Sequence, residues 1–99
     1  VFLYLGLNID WKKKRVFYQE QRVSLTAKEY SLLELLVQNR GQVLTKEIIL
    51  ERIWDIDGLF VVENTVSVTI NRLRKKIEPD NSHPIFVKNV FGLGYTFGD

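Results

Sequence analysis

Between Asn64 and Ile77 the chain reads NTVSVTINRLRKKI, and at about 100° per residue this pattern resolves into two faces of a helix. Val66, Ile70, Leu73 and Ile77 fall within about 60° of one another, an apolar stripe that seats on a core. Opposite them lie Asn64, Val68, Asn71, Arg72 and Lys75. Ser67 and Arg74 flank one edge of that outer face, and Thr65, Thr69 and Lys76 flank the other. Two helices are predicted ahead of this one. Thr26-x-x-Glu29 has capping-box spacing, with Leu25 and Tyr30 placed as a hydrophobic staple. Tyr30, Leu33, Leu36 and Val37, widened by Leu32 and Leu35, give the first helix its buried face, and Gly41 stops it. Thr45 caps a second helix running to about Trp54, in which Ile48, Ile49, Ile53 and Trp54 point inward.

On either side of the helices the pattern shortens to a period of two, which predicts strands. In Val1 to Leu25, Phe2, Tyr4, Asn8 and Asp10 alternate with Leu3, Leu5, Leu7, Ile9 and Trp11, and Gly6 breaks the run. Val16 to Tyr18 form a second β-rich piece, Gln19 to Gln21 a turn, and Arg22 to Leu25 a last strand, so a small antiparallel sheet is expected. Beyond Pro79, which ends the third helix, Ile85 to Phe97 alternate as a hairpin around Gly92-Leu93-Gly94. A hairpin directly after a basic third helix has the order of a winged helix, and Lys88 and Asn89 lie on it facing a backbone or a minor groove.

Composition narrows the class. Ninety-nine residues with 45% apolar content suit one domain. The net charge of +2 and pI near 9.0 make the position of the cations matter more than their number. There is no cysteine, hence no disulfide frame and no thiolate site, as suits a reducing, cytoplasmic setting. No apolar run approaches the ~20 residues of a membrane helix. The chain starts at Val rather than Met and reads as a piece of something longer. One histidine, His83, in a polar loop before Pro84 reads as solvated and not as a metal ligand. Gly92-x-Gly94 joins two strands and lacks the third glycine of a phosphate cradle. The carboxylates are scattered. No enzyme and no cofactor is expected.

The acid-free outer face of the third helix combines cations, amides, hydroxyls and a bare valine, the groups that read duplex DNA in a major groove. Basic residues late in a helix also complement its carbonyl end, so this helix alone leaves both readings open. Lys12, Lys13, Lys14 and Arg15 form either a solvated turn or a phosphate contact. The acidic stretch from Asp55 to Glu63 carries Leu59, Phe60, Val61 and Val62 in sequence; these either fold onto the core or form a protein-contacting loop.

Four segments carry a family resemblance. Leu25-Thr26-Ala27-Lys28-Glu29-Tyr30 with Leu32-Leu33 is similar to LT-x-x-E-[FY]-x-LL. Gly41-Gln42-Val43-Leu44-Thr45 with Leu50 and Trp54 is similar to G-x-V-[LV]-[ST]…L…W. Thr65-Val66-Ser67-Val68 through Ile70, Arg72, Leu73 and Arg74 follows TV-[DS]-V-x-I-x-x-LR-x-K, and Gly92-x-Gly94-Tyr95-x-Phe97 follows a wing signature. In this order and spacing the chain resembles the DNA-binding effector domain of OmpR/PhoB-type response regulators, the output half of bacterial two-component phosphorelays. The resemblance implies an α+β winged helix-turn-helix: an N-terminal four-stranded antiparallel sheet, three helices and a C-terminal β-hairpin wing. It implies a transcription regulator whose third helix enters the major groove. Asn64, Thr65, Val68, Thr69, Asn71, Arg72, Arg74 and Lys75 are then the candidate DNA contacts on that helix. Trp54 at the end of the second helix, and Lys88 and Thr96 on the wing, join them. Asp55, Asp57, Leu59 and Phe60 correspond to a segment that meets RNA polymerase. The other implied partners are a receiver domain of the same protein, a sensor histidine kinase acting through it, and a second copy bound head to tail on tandem direct-repeat half-sites.

The chain also departs from the family. Relatives commonly carry arginine where Phe91 and Thr96 stand, and basic residues where Thr69 and Asn71 stand. Weaker binding than in a more basic relative follows, with Phe91 packed under the wing. Two other readings compete. One is a winged-helix protein-interaction module acting through the 55–63 loop without DNA; the other is non-specific nucleic-acid binding through Lys12 to Arg15 and the third helix.

Overall fold

The computed structural model, which describes residues 1–54 and 64–98, begins with four short strands: β1 (Phe2–Tyr4), β2 (Leu7–Asp10), β3 (Arg15–Tyr18) and β4 (Gln21–Val23). They pair in sequence order as one antiparallel sheet, with Phe2 opposite Ile9, Leu7 opposite Tyr18 and Val16 opposite Val23. Leu5 and Gly6, both at positive φ, make the first turn, as Gln19 and Glu20 make the third. The turn at Gly6 shifts the alternation by one residue. Phe2 and Tyr4 face inward on β1 with Leu7 and Ile9 on β2, while Leu3 and Leu5 are left exposed.

Three helices follow: α1 (Ala27–Gln38), α2 (Lys46–Ile53) and α3 (Thr65–Ile77). The capping box is complete, since Thr26 Oγ1 accepts from the Glu29 amide at 3.2 Å and Glu29 Oε1 accepts from the Thr26 amide at 2.9 Å. Thr45 Oγ1 accepts from the Ile48 amide and starts α2 in the same manner. Ile48 itself does not point inward. It is 38% exposed, because Ile49 and Ile53 take the buried line of α2 and Ile48 stands a third of a turn away.

The chain ends in a hairpin of β5 (Val87–Val90) and β6 (Gly94–Phe97), paired antiparallel. Phe86 and Phe97 stack at 6.0 Å, and Tyr4 and Tyr18 of the sheet meet Phe86 edge-on at 6.1 and 5.9 Å. This aromatic set joins the first strands to the last. The expected sheet, helices and terminal hairpin are therefore all present. Among the described residues, no helix is long and apolar enough to cross a membrane.

Glu29 also ties α1 to α3, because Lys76 Nζ donates to its Oε1 at 2.6 Å. Burial alone raises the Glu29 carboxyl pKa, but the Lys76 ammonium and the Thr26 backbone and hydroxyl outweigh it and hold it below its ordinary value of 4.5. A carboxyl depressed in the folded state stabilises fully above its unfolded pKa and loses that contribution as pH falls through the folded one. Glu29→Gln is expected to lower stability by about 1–2 kcal/mol at neutral pH. The gap between variant and parent should narrow only below pH 4.5. Urea unfolding of both across that range checks this, and a gap independent of pH would remove Glu29 from the ion pair's energetics.

Candidate nucleic-acid interface

Val66, Ile70, Leu73 and Ile77 are fully buried, so the apolar stripe of α3 is its inner face. The helix starts at Thr65 with no side-chain cap from Asn64; Ser67 Oγ instead donates to the Asn64 carbonyl at 3.0 Å. What remains outside is Asn64, Asn71, Arg72 and Lys75, all exposed, with Thr65, Ser67 and Val68 half-buried between them. No acidic residue occurs in the helix. Among the described residues, neither Arg72 nor Lys75 makes a hydrogen bond or ion pair through its side chain. Both cations are open to an incoming ligand.

Arg74 is oriented differently. It is 9% exposed, and its Nε donates to the Val87 carbonyl of β5 at 2.9 Å. One terminal nitrogen donates to Asn89 Oδ1, the other lies 3.5 Å from Asn71 Oδ1, and the guanidinium carbon sits 5.9 Å from the centre of the Tyr95 ring. This arginine clamps the hairpin to the helix. On the helical projection its Cα lies at the border of the outer face, and the long side chain turns inward to reach β5.

A carboxylate completes the clamp. Glu78, directly after α3 and 8% exposed, accepts from the amides of Ile85 at 2.8 Å, Phe86 at 3.1 Å and Val87 at 2.8 Å. It thereby satisfies three consecutive amides at the entry to β5, of which those of Phe86 and Val87 are buried. On its other side the hairpin pairs with Leu44, whose amide donates to the Tyr95 carbonyl at 2.8 Å and whose carbonyl accepts from the Tyr95 amide at 2.9 Å. Gly94 allows this approach. A Cβ on it would lie 2.1 Å from the Leu44 oxygen, so β6 reaches the entrance of α2 only with glycine there.

The expected contact residues thus divide. Asn64, Thr65, Val68, Asn71, Arg72 and Lys75 share the open side of α3. Lys88 and Thr96 face each other across the hairpin, and the Thr96 hydroxyl donates to the Gln42 carbonyl. Trp54, Thr69 and Arg74 are not surface groups. Trp54 is 5% exposed and belongs to the core. Thr69 is 8% exposed and its hydroxyl donates to the Thr65 carbonyl at 2.9 Å. Phe91 does not pack under the wing: it lies at the hairpin tip with its ring wholly in solvent. His83 is exposed beside Asp80 at 3.1 Å, a local loop contact. Asp55, Asp57, Leu59 and Phe60 lie outside the described residues. Glu78 was missed from sequence, where one glutamate before a proline carries no sign of three amides converging on it. The alternation puts Asn89 on the wing but gives no sign that it partners Arg74.

Residues 20–97 match the family described as "Transcriptional regulatory protein, C terminal". The "Probable transcriptional regulator ycf27" of Galdieria sulphuraria is 40% identical over 92 residues, which are 92% of this chain and 36% of that protein. Response regulator DrrB, a Thermotoga maritima OmpR/PhoB homolog, superposes with a TM-score of 0.91 at 35% identity, covering 99% of this chain and 44% of that one. The RstA DNA-binding domain of Klebsiella pneumoniae, in complex with the RstA box, superposes with a TM-score of 0.83 at 26% identity, covering 98% and 95%. The chain spans well under half the length of such curated relatives.

Proposed function

Because this chain belongs to the family of transcriptional regulatory C-terminal domains, and within it to the OmpR/PhoB-type winged-helix DNA-binding domains, we propose that it reads a specific duplex sequence by laying the outer face of α3 in the major groove. The observation that carries this is the acid-free face of Asn64, Val68, Asn71, Arg72 and Lys75, with both of its cations open. Arg72 is the group suited to guanine, Asn71 and Asn64 supply amides for base edges, Val68 packs on a thymine methyl, and Lys75 meets phosphate. Thr65 at the helix start and Lys88 and Thr96 on the wing serve the backbone. The parent protein is a response regulator in which a receiver domain, phosphorylated by a sensor histidine kinase, drives two copies onto tandem direct-repeat half-sites. The 55–63 segment offers Asp55, Asp57, Leu59 and Phe60 to RNA polymerase.

Selection of bound duplexes from a random DNA pool tests this reading. A repeated half-site about one helical turn apart is the expected result. Binding without enrichment would favour non-specific contact, to which the exposed Lys12, Lys13, Lys14 and Arg15 would contribute. No binding even by two tethered copies would favour the protein-interaction module.

The salt dependence should be mild. With Arg74 engaged by the wing, Arg72 and Lys75 are the cations left on the outer face of α3 to displace counterions. The slope of log affinity against log salt is therefore expected to be shallower than about −6 per domain. A steeper slope would mean that phosphate contacts come from elsewhere on the surface.

A further inference from the structure

Phe91, at 101% relative exposure, and Leu93, at 63%, flank Gly92 at the tip of the β5–β6 hairpin. The tip is tight: the Leu93 amide donates to the Val90 carbonyl at 2.9 Å, and Gly92 at φ 74° has open space around it. Its base is held from two sides, by Arg74 on Val87 and Asn89 and by Leu44 on Tyr95. The apolar pair therefore projects from a fixed frame. Asn89, which shares the Arg74 guanidinium with Asn71, marks where the hairpin borders the outer face of α3. Phe91 follows two residues later, roughly 7 Å further along the chain. From residue 84 to residue 98 the sequence contains no carboxylate and one cation, Lys88. Nothing in that stretch repels a phosphate backbone.

We propose that Phe91, backed by Leu93, is an apolar wedge that enters the minor groove beside the half-site read by α3 and partly unstacks one base step. The proposal rests on the DNA-reading function above. Phenylalanine and leucine are among the side chains that open base steps from the minor groove, and pyrimidine–purine steps open most easily. The wedge thus adds a preference for TpA or CpA at a position read by no polar group. A second copy of the chain is the poorer occupant, since two side chains supply far less than the ~1,200 Å² that a stable protein interface buries.

Phe91→Ala leaves the fold untouched because the ring makes no internal packing contact. Parallel selections from a random duplex pool, with the parent chain and with this variant, should return the same half-site. Only the parent pool should carry TpA or CpA at a fixed distance from it. On the parent's winning duplex the variant should bind about tenfold more weakly, with an unchanged salt slope because an apolar group displaces no counterions. 2-Aminopurine placed at the flanking step should brighten with the parent chain and not with the variant. Identical pools, or no brightening with the parent, overturn the wedge and leave half-site reading intact. A parent pool without any half-site overturns the reading on which the wedge depends.

Discussion

Arg74→Ala is expected to lower stability by about 2–4 kcal/mol, through lost charge-assisted hydrogen bonds and an orphaned buried carbonyl. Its guanidinium joins α3 to both Val87 and Asn89. Burial draws its pKa below the usual arginine value, with Tyr95 and Glu78 acting in the opposite sense, so the side chain is held at some desolvation cost. Lysine offers one point charge instead of a fork, and Arg74→Lys should recover only part of the loss. Urea unfolding measures this directly. DNA affinity should fall on all sequences alike as the wing loosens, while the salt slope stays constant. Unchanged stability with a salt slope reduced by about one unit would instead make Arg74 a phosphate contact.

Glu78→Ala should cost a similar amount, about 2–4 kcal/mol, by a different route. The carboxylate accepts from three successive amides, and two of those residues, Phe86 and Val87, are fully buried. Removing it leaves amides that water cannot easily reach, and each unsatisfied buried group costs about 1–3 kcal/mol. Glu78→Gln retains one acceptor oxygen and should fall between parent and alanine. In thermal melts each kcal/mol moves a domain of this size by about 4–8 °C. A melting temperature unaffected by Glu78→Ala would show that the entry to β5 is held by other means.

The helices and their faces were legible because their signals are local. The α3 stripe follows from period alone, and the capping box at Thr26 follows from residue types three apart. The reversal of facing at Leu5 and Gly6 was less legible, since a two-residue turn shifts the alternation without interrupting the apolar run. Side-chain destinations were harder still. Ile48 is as apolar as Ile49, and only the packing of α2 decides which is buried. Arg74 and Arg72 are chemically alike and two residues apart, yet one reaches β5 and the other reaches solvent. That difference depends on a strand thirteen residues away in sequence. Thr69 bonds back to its own helix, and Phe91 stays in solvent at the wing tip because the hairpin's partners, Leu44 and Arg74, engage its base. The wing's presence followed from the pattern, but its clamp is tertiary.

An open face of α3 that distinguishes one DNA sequence from another makes the effect of Arg72→Ala depend on the duplex. Affinities of parent and variant should be measured on the selected half-site duplex and on a scrambled duplex at one fixed salt concentration. A loss of about 1–3 kcal/mol on the selected duplex, with little change on the scrambled one and relaxed preference at a single base position, is the predicted result. Equal loss on both duplexes would contradict it and reduce Arg72 to a backbone contact.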